Sequence, residues 1–146
     1  MAERLSGDEL AAYFALRRAG DLLQRQVTAQ LREHGLTEVQ FSILARLDIE
    51  PDGVPMGRLA TALVASKSGS TYQVTQLAGR GLVERTGSAS DERSVIARIT
   101  PSGHALLEEV MPGHVALVRA AFLDRTDPEE LRIVRAVLER VANEAR

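Results

Sequence analysis

Leu10, Tyr13, Phe14, Leu16, Leu22, Leu23, Val27 and Leu31 recur near 3.6-residue spacing, with Arg17, Arg18, Asp21, Arg25 and Arg32 between them. That period predicts an amphipathic helix from about Gly7 to His34, with Gly35 placed as a left-handed stop. A long apolar stripe needs a partner, and a second copy of the chain is the simplest one. Thr37-Glu38-Val39-Gln40 then reads as a capping box that opens a second helix, with Phe41, Leu44 and Leu47 on one face. Glu50-Pro51-Asp52-Gly53-Val54-Pro55 has the chemistry of a turn, and Met56, Leu59, Ala60, Leu63 and Val64 mark a short third helix.

A fourth helix is expected to begin in Ser66-Lys67-Ser68-Gly69-Ser70-Thr71 and to stop at Gly81. Its apolar face is narrow, since only Val74, Leu77 and Ala78 belong to it. The period then changes to two. Leu82–Thr86 and Arg93–Thr100 read as two strands joined by the polar loop Gly87–Glu92, a β-hairpin. Thr100-Pro101 has the form of a helix cap followed by proline in the first turn. Apolar positions from Leu106 to Phe122 carry that helix to about Leu123, with a kink expected at Pro112-Gly113. Asp127-Pro128-Glu129-Glu130 starts a last helix whose apolar face holds Leu131, Val134, Leu138 and Val141. The expected class is mainly α with a small β-hairpin.

Helix, short helix, polar-faced helix and hairpin, in that order, is the plan of a winged helix-turn-helix. A helix presented to a DNA major groove must be narrow and polar, with side chains that reach base edges or phosphates. Ser68, Ser70, Thr71, Gln73 and Gln76 are suited to base edges, and Lys67 at the helix N-terminus to phosphate. Arg93 in the hairpin suits the minor groove, with Asp91 to orient it. Each group also has a plainer reading. Polar residues on one helix face are commonly a solvated face, and Asp91 with Arg93 is commonly a weak surface ion pair. Charge favours DNA. From Met56 to Thr100 the chain carries Arg58, Lys67, Arg80, Arg85, Arg93 and Arg98 against Glu84, Asp91 and Glu92, a local +3 in a protein of net charge −2.

The length of 146 residues is about that of one domain. Cysteine is absent, which closes disulfide, thiolate-metal and thiol-redox chemistry. Tryptophan is absent and aromatics are 3%, which argues against base-stacking platforms for single strands. No apolar run is long enough for a membrane span, and the charged start Met1–Asp8 is unlike a signal peptide, so a cytoplasmic protein is expected. The histidines are His34, His104 and His114, without an i, i+4 pair, and no metal site is expected. No nucleophile elbow, zinc-protease motif or phosphate loop occurs, so neither enzyme activity nor a cofactor is expected.

The sequence also resembles the MarR (multiple antibiotic resistance regulator) family of transcription factors. The likeness runs in order through Gly35-Leu36-Thr37-Glu38-Val39-Gln40-Phe41, Met56-Gly57-Arg58-Leu59-Ala60, Gly81-Leu82-Val83-Glu84-Arg85, Asp91-Glu92-Arg93-Ser94 and Ile99-Thr100-Pro101-Ser102-Gly103. The resemblance implies one MarR-like domain over residues 1–146. It places a winged core at about 36–100 and dimerisation helices at about 7–34 and 101–146. It implies a homodimer that binds double-stranded DNA at a pseudo-palindromic operator, probes the minor groove with Arg93, and turns the polar face of the fourth helix to the major groove. A repressor relieved by a small aromatic or phenolic effector is implied, with Tyr13, Arg17 and Phe41 near the effector. The chain departs from the family at Tyr72 and Gln76, often Arg, and at Thr75, often Asp. Those departures keep open the alternative of a helical ligand- or protein-binding dimer without DNA binding.

Overall fold

The computed structural model describes residues 2–63, 67–87 and 95–144, and for Lys67 and Ser68 it defines the backbone alone. Helix α1 spans Gly7–Arg32, α2 Glu38–Ile49, α3 Met56–Ala62, α4 Lys67–Gly79, α5 Pro101–Ala121 and α6 Pro128–Glu144. Strands β1 (Val54–Pro55), β2 (Val83–Thr86) and β3 (Ile96–Ile99) form an antiparallel sheet in the order β1-β3-β2. The mainly helical, winged architecture is as expected.

Local chemistry explains the boundaries. Ser6 and Glu9 cap α1 reciprocally, and Thr37 and Gln40 do the same for α2. Two helices end in the same way. Gly35 adopts φ 71° and Gly81 φ 74°. In α1 the Leu36 N–H reaches the Leu31 carbonyl at 3.1 Å, and after α4 the Leu82 N–H reaches the Leu77 carbonyl at 3.0 Å. Each glycine takes the left-handed position that closes the helix, and each following leucine folds back onto the core. An Arg80 N–H donates to the Gly35 carbonyl at 2.8 Å and ties the two stops together.

The core forms where α1, α2, α3, α4, the sheet and the first half of α5 meet. Leu31, Ile43, Leu44, Leu47, Leu59 and Leu77 are wholly buried in it. Each such side chain contributes about 1.5–3 kcal/mol of transfer free energy. Gly103 is the tightest junction. A Cβ there would lie 2.2 Å from the Leu82 carbonyl oxygen, so α5 packs backbone-close to the root of β2. Thr100 secures the same point: its hydroxyl accepts from the Gly103 N–H at 3.0 Å and donates to the Gly81 carbonyl at 2.7 Å.

Two features differ from the sequence expectation. Val54-Pro55, read as turn, is a third strand paired with Ala97 and Ile96; two residues are too short to show a period. The last strand begins at Ile96, and Arg93 and Ser94 lie outside the described residues. Pro112-Gly113, where a kink is expected, lies inside α5, which runs as helix on both sides of it. Gln30 of α1 lies against this place, donating from Nε2 to the Val110 carbonyl at 3.2 Å. The apolar stripe of α6 finds no cover within the chain. None of its residues is buried, and Ile133, Val137, Leu138 and Val141 are exposed, as are Leu10, Tyr13, Phe14, Leu16 and Leu22 of α1. Among the described residues, no helix is long and apolar enough to cross a membrane.

Candidate nucleic-acid interface

Helix α4 is held by one stripe. Ser70, Val74 and Leu77 stand at i, i+4 and i+7, so they share a face, and all three are 0% exposed. This corrects the placement of Ser70. It was expected on the outward face, but its spacing from Val74 and Leu77 puts it in the core, where its Oγ has no hydrogen-bond partner among the described residues. Gln73 is half-buried, and its Oε1 accepts from Gln40 Nε2 at 3.3 Å, so it belongs partly to the α2–α4 contact. Thr71 is half-buried and Gln76 is exposed. The side chains of Lys67 and Ser68 lie outside the description, although both residues belong to the first turn of α4. Asp91 and Arg93 also lie outside the described residues.

The outward face contains two residues that depart from the family pattern, Tyr72, whose hydroxyl could meet phosphate or whose ring could pack, and Thr75. Tyr72 is 61% exposed, so its ring does not pack into this chain. Thr75 is exposed, and its hydroxyl donates to the Thr71 carbonyl at 2.9 Å. From β2, Arg85 reaches across and donates to the same Thr75 oxygen at 3.1 Å. No carboxylate occurs between Lys67 and Gly79. The surface of α4 is therefore a set of neutral hydrogen-bonding groups flanked by an arginine from the sheet. Such a surface matches duplex DNA in kind, with neutral groups for base edges and cations for the phosphate chains. Arg85 was legible only as part of a charge count, because its reach to α4 depends on how the strand packs.

The residues linked by resemblance to an effector do not form one cluster. Tyr13 and Arg17 are exposed on α1. An Arg17 N–H donates to the Tyr13 hydroxyl at 3.2 Å, and its guanidinium stands 5.9 Å from the Tyr13 ring centre. That hydrogen bond, with the Tyr13 and Asp21 charges, raises the Arg17 pKa further. Phe41 lies elsewhere, half-buried, with its ring centre 4.7 Å from that of His114. Beside it, a cavity of about 310 Å³ is lined by His114, Val115, Val118, Arg119 and Leu123. His114 Nδ1 and Gln30 Oε1 are buried without partners. Buried polar atoms are normally satisfied, so both atoms are available to a bound molecule or water. His114 was weighed in the sequence only as a metal ligand. Among the described residues no group of three or more ligating side chains is positioned to hold a metal.

A second histidine ties α5 to α2. His104 Nδ1 lies 2.6 Å from Asp48 Oδ1, and its Nε2 lies 3.1 Å from Glu108 Oε1. The Asp48 hydrogen bond, with lesser help from Glu108, raises the His104 pKa above its ordinary value.

Comparisons with known proteins agree with this geometry. A profile described as "MarR family" matches residues 34–94. The chain is similar to AbsC, a MarR family transcriptional regulator from Streptomyces coelicolor, at 33% identity and TM-score 0.91, covering 99% of this chain and 98% of that one. It is similar to Sco3205, a MarR family regulator from the same organism solved in complex with DNA, at 28% identity and TM-score 0.90, covering 98% and 94%. It is also similar to CouR from Rhodococcus jostii RHA1, solved bound to p-coumaroyl-CoA, at 25% identity and TM-score 0.79, covering 97% and 96%. The profile falls on the stretch that holds α2, α3, α4 and strands β1 and β2, and the likeness to AbsC extends over nearly the whole of both chains; the protein belongs to the MarR family of transcriptional regulators.

Proposed function

We propose that the chain is a homodimeric repressor that reads a pseudo-palindromic operator with α4 and the hairpin, and that a small aromatic molecule releases it. The observation that carries the DNA reading is the outward face of α4. Tyr72, Thr75 and Gln76 project from it, no carboxylate lies along the helix, and Arg85 flanks it. Likeness to Sco3205, whose structure contains DNA, supports DNA binding. Lys67, Ser68, Thr71, Gln73 and Gln76 are the candidate groove and phosphate contacts from α4, with Arg93 and Asp91 the candidates from the segment of the sequence between β2 and β3. Ser70 takes no part.

The exposed apolar stripes of α1 and α6 support a dimer built from the segments 7–34 and 101–146, with residues 36–100 as the DNA-binding lobe. Two such lobes would meet half-sites about one helical turn, or roughly 34 Å, apart. A protein acting on chromosomal DNA works in the cytoplasm of a bacterium. For the effector, the Phe41–His114 pair and the adjoining cavity are better placed than Tyr13 and Arg17. An aromatic ring against Phe41 would leave His114 Nδ1 and Arg119 for its polar end. Likeness to CouR, which was solved with p-coumaroyl-CoA, supports an aromatic ligand class.

The test is fluorescence anisotropy with the gene's own upstream intergenic DNA, titrated in salt beside a scrambled duplex of equal length. Binding that favours the native fragment and weakens steeply with salt is expected. No binding to either duplex at low salt would refute the reading and leave a helical ligand-binding dimer in its place.

A further inference from the structure

We propose that Arg85 is a DNA phosphate contact held in position by the DNA-reading helix itself, through the hydroxyl of Thr75. The proposal rests on the reading of α4 as the groove-facing element.

The argument begins in the sheet. Successive side chains of a strand point to opposite faces. Glu84 pairs in register with Arg98, and Arg85 with Ala97. The one carboxylate of β2 therefore lies on the face away from Arg85, opposite an arginine whose Nε donates to the Asp52 carbonyl at 2.8 Å. On the Arg85 face, the strand partner is a methyl group. Among the described residues no carboxylate is paired with Arg85, and α4 contains none.

Thr75 supplies direction without supplying charge. Its single hydroxyl proton goes to the Thr71 carbonyl at 2.9 Å, which fixes the rotor. A lone pair of the same oxygen is then free for the Arg85 N–H at 3.1 Å. A guanidinium has five N–H donors in a fixed planar fork, so one bond to a neutral oxygen leaves the cation and most of its donors unspent. Arg85 is exposed, as are Thr75, Tyr72, Gln76 and Gly79 of α4. A fixed, exposed fork that no described carboxylate neutralises, at the seam between a groove-facing helix and its sheet, suits the planar geometry of a phosphodiester. Contact there would set the depth and azimuth of α4, since phosphate contacts position and base contacts specify. Arg85 is thus a positioning residue for the recognition surface, and Thr75 positions Arg85.

The experiment uses the full chain and a duplex that the wild-type protein selects from a random library, beside an unrelated duplex of the same length. Affinity is measured by anisotropy across a salt series. Each neutralised phosphate contributes about 0.9 to the slope of log K against log salt. Arg85→Gln is expected to reduce the slope by about 0.9 per bound protomer and to weaken both duplexes by the same factor, roughly tenfold per contact. Arg85→Lys should restore the slope but not the full affinity. Thr75→Asp, which retains the arginine but neutralises it, should reproduce the loss of slope. Thr75→Val should keep the slope and lose several-fold in affinity. Thermal unfolding of each variant checks the fold, and if Arg85→Gln fails to fold, Thr75→Asp and Arg85→Lys decide the matter. An unchanged slope in Arg85→Gln and Thr75→Asp, with wild-type binding steep in salt, overturns this proposal alone. So does a changed base preference at constant slope, which would make Arg85 a base reader. A wild-type protein that binds no duplex in a salt-dependent way overturns both this proposal and the function it rests on.

Discussion

Replacing Ser70 with alanine separates two views of α4. Read as a sequence, the serine belongs to the DNA-facing set; in the folded chain it is 0% exposed, with its Oγ unpaired among the described residues. A buried hydroxyl without a partner carries a desolvation cost of about 1–3 kcal/mol. Ser70→Ala removes that cost and breaks no hydrogen bond. The void left by one oxygen, roughly 10 Å³, costs about 0.2 kcal/mol. Alanine adds a few tenths through helix propensity, about 0.5 kcal/mol. The net expectation is a gain of about 1–3 kcal/mol. Unfolding entropy for 146 residues is about 0.3 kcal/mol/K, so Tm should rise by about 4–11 °C. Differential scanning calorimetry at fixed protein concentration measures this, because a dimer's Tm depends on concentration. Anisotropy on the selected duplex and its single-base variants should match wild type. A lower Tm, or an altered base preference with the fold intact, would refute the inward placement of Ser70.

Gly103→Ala should cost roughly 1–3 kcal/mol by urea unfolding, because its Cβ would meet the Leu82 carbonyl oxygen at 2.2 Å; an unchanged midpoint would contradict the close packing of α5 on β2. His104 gives a pH signature. Its pKa is raised in the folded chain, so its pairing with Asp48 stabilises fully below the unfolded value near 6.5 and is lost as pH rises through the folded value. Stability of the wild type relative to His104→Gln should therefore decline with rising pH in that window, and parallel curves would show that the pair contributes nothing. Val141→Asp puts a charge on the uncovered face of α6 and should convert the dimer to a monomer in sedimentation equilibrium, whereas an unchanged mass would remove α6 from the interface.

The scaffold was readable because its signals are local. Capping boxes at Thr37, glycine stops at 35 and 81, and the Thr100-Pro101 start each act within a few residues, and each stands where expected. The site was less readable because a surface is made by packing. Ser70 is chemically polar but stands at the right interval from Val74 and Leu77 to be sealed in, and polarity alone could not reveal this. Gln73 looked free until Gln40, 33 positions away, met it across the α2–α4 contact. Arg85 was one cation among six in the middle of the chain, and only the crossing of β2 beside α4 brings it to Thr75. His114 and Phe41 are 73 positions apart in sequence, so no spacing rule joins them.

Helix α5 is continuous from Pro101 to Ala121, pinned at one end by Gly103 against Leu82 and extending at the other to the arm that carries α6. At 1.5 Å per residue, 21 residues make a rod about 30 Å long. A rotation of about 5° around the pinned end moves the far end by roughly 2.5 Å, and the converse holds with equal leverage. In the proposed dimer, the angle between two arms and the separation of two reading heads are then one mechanical variable. A molecule wedged beside His114, about two-thirds of the way along the rod, would need only a small displacement to take both proposed heads out of step with the helical repeat of DNA.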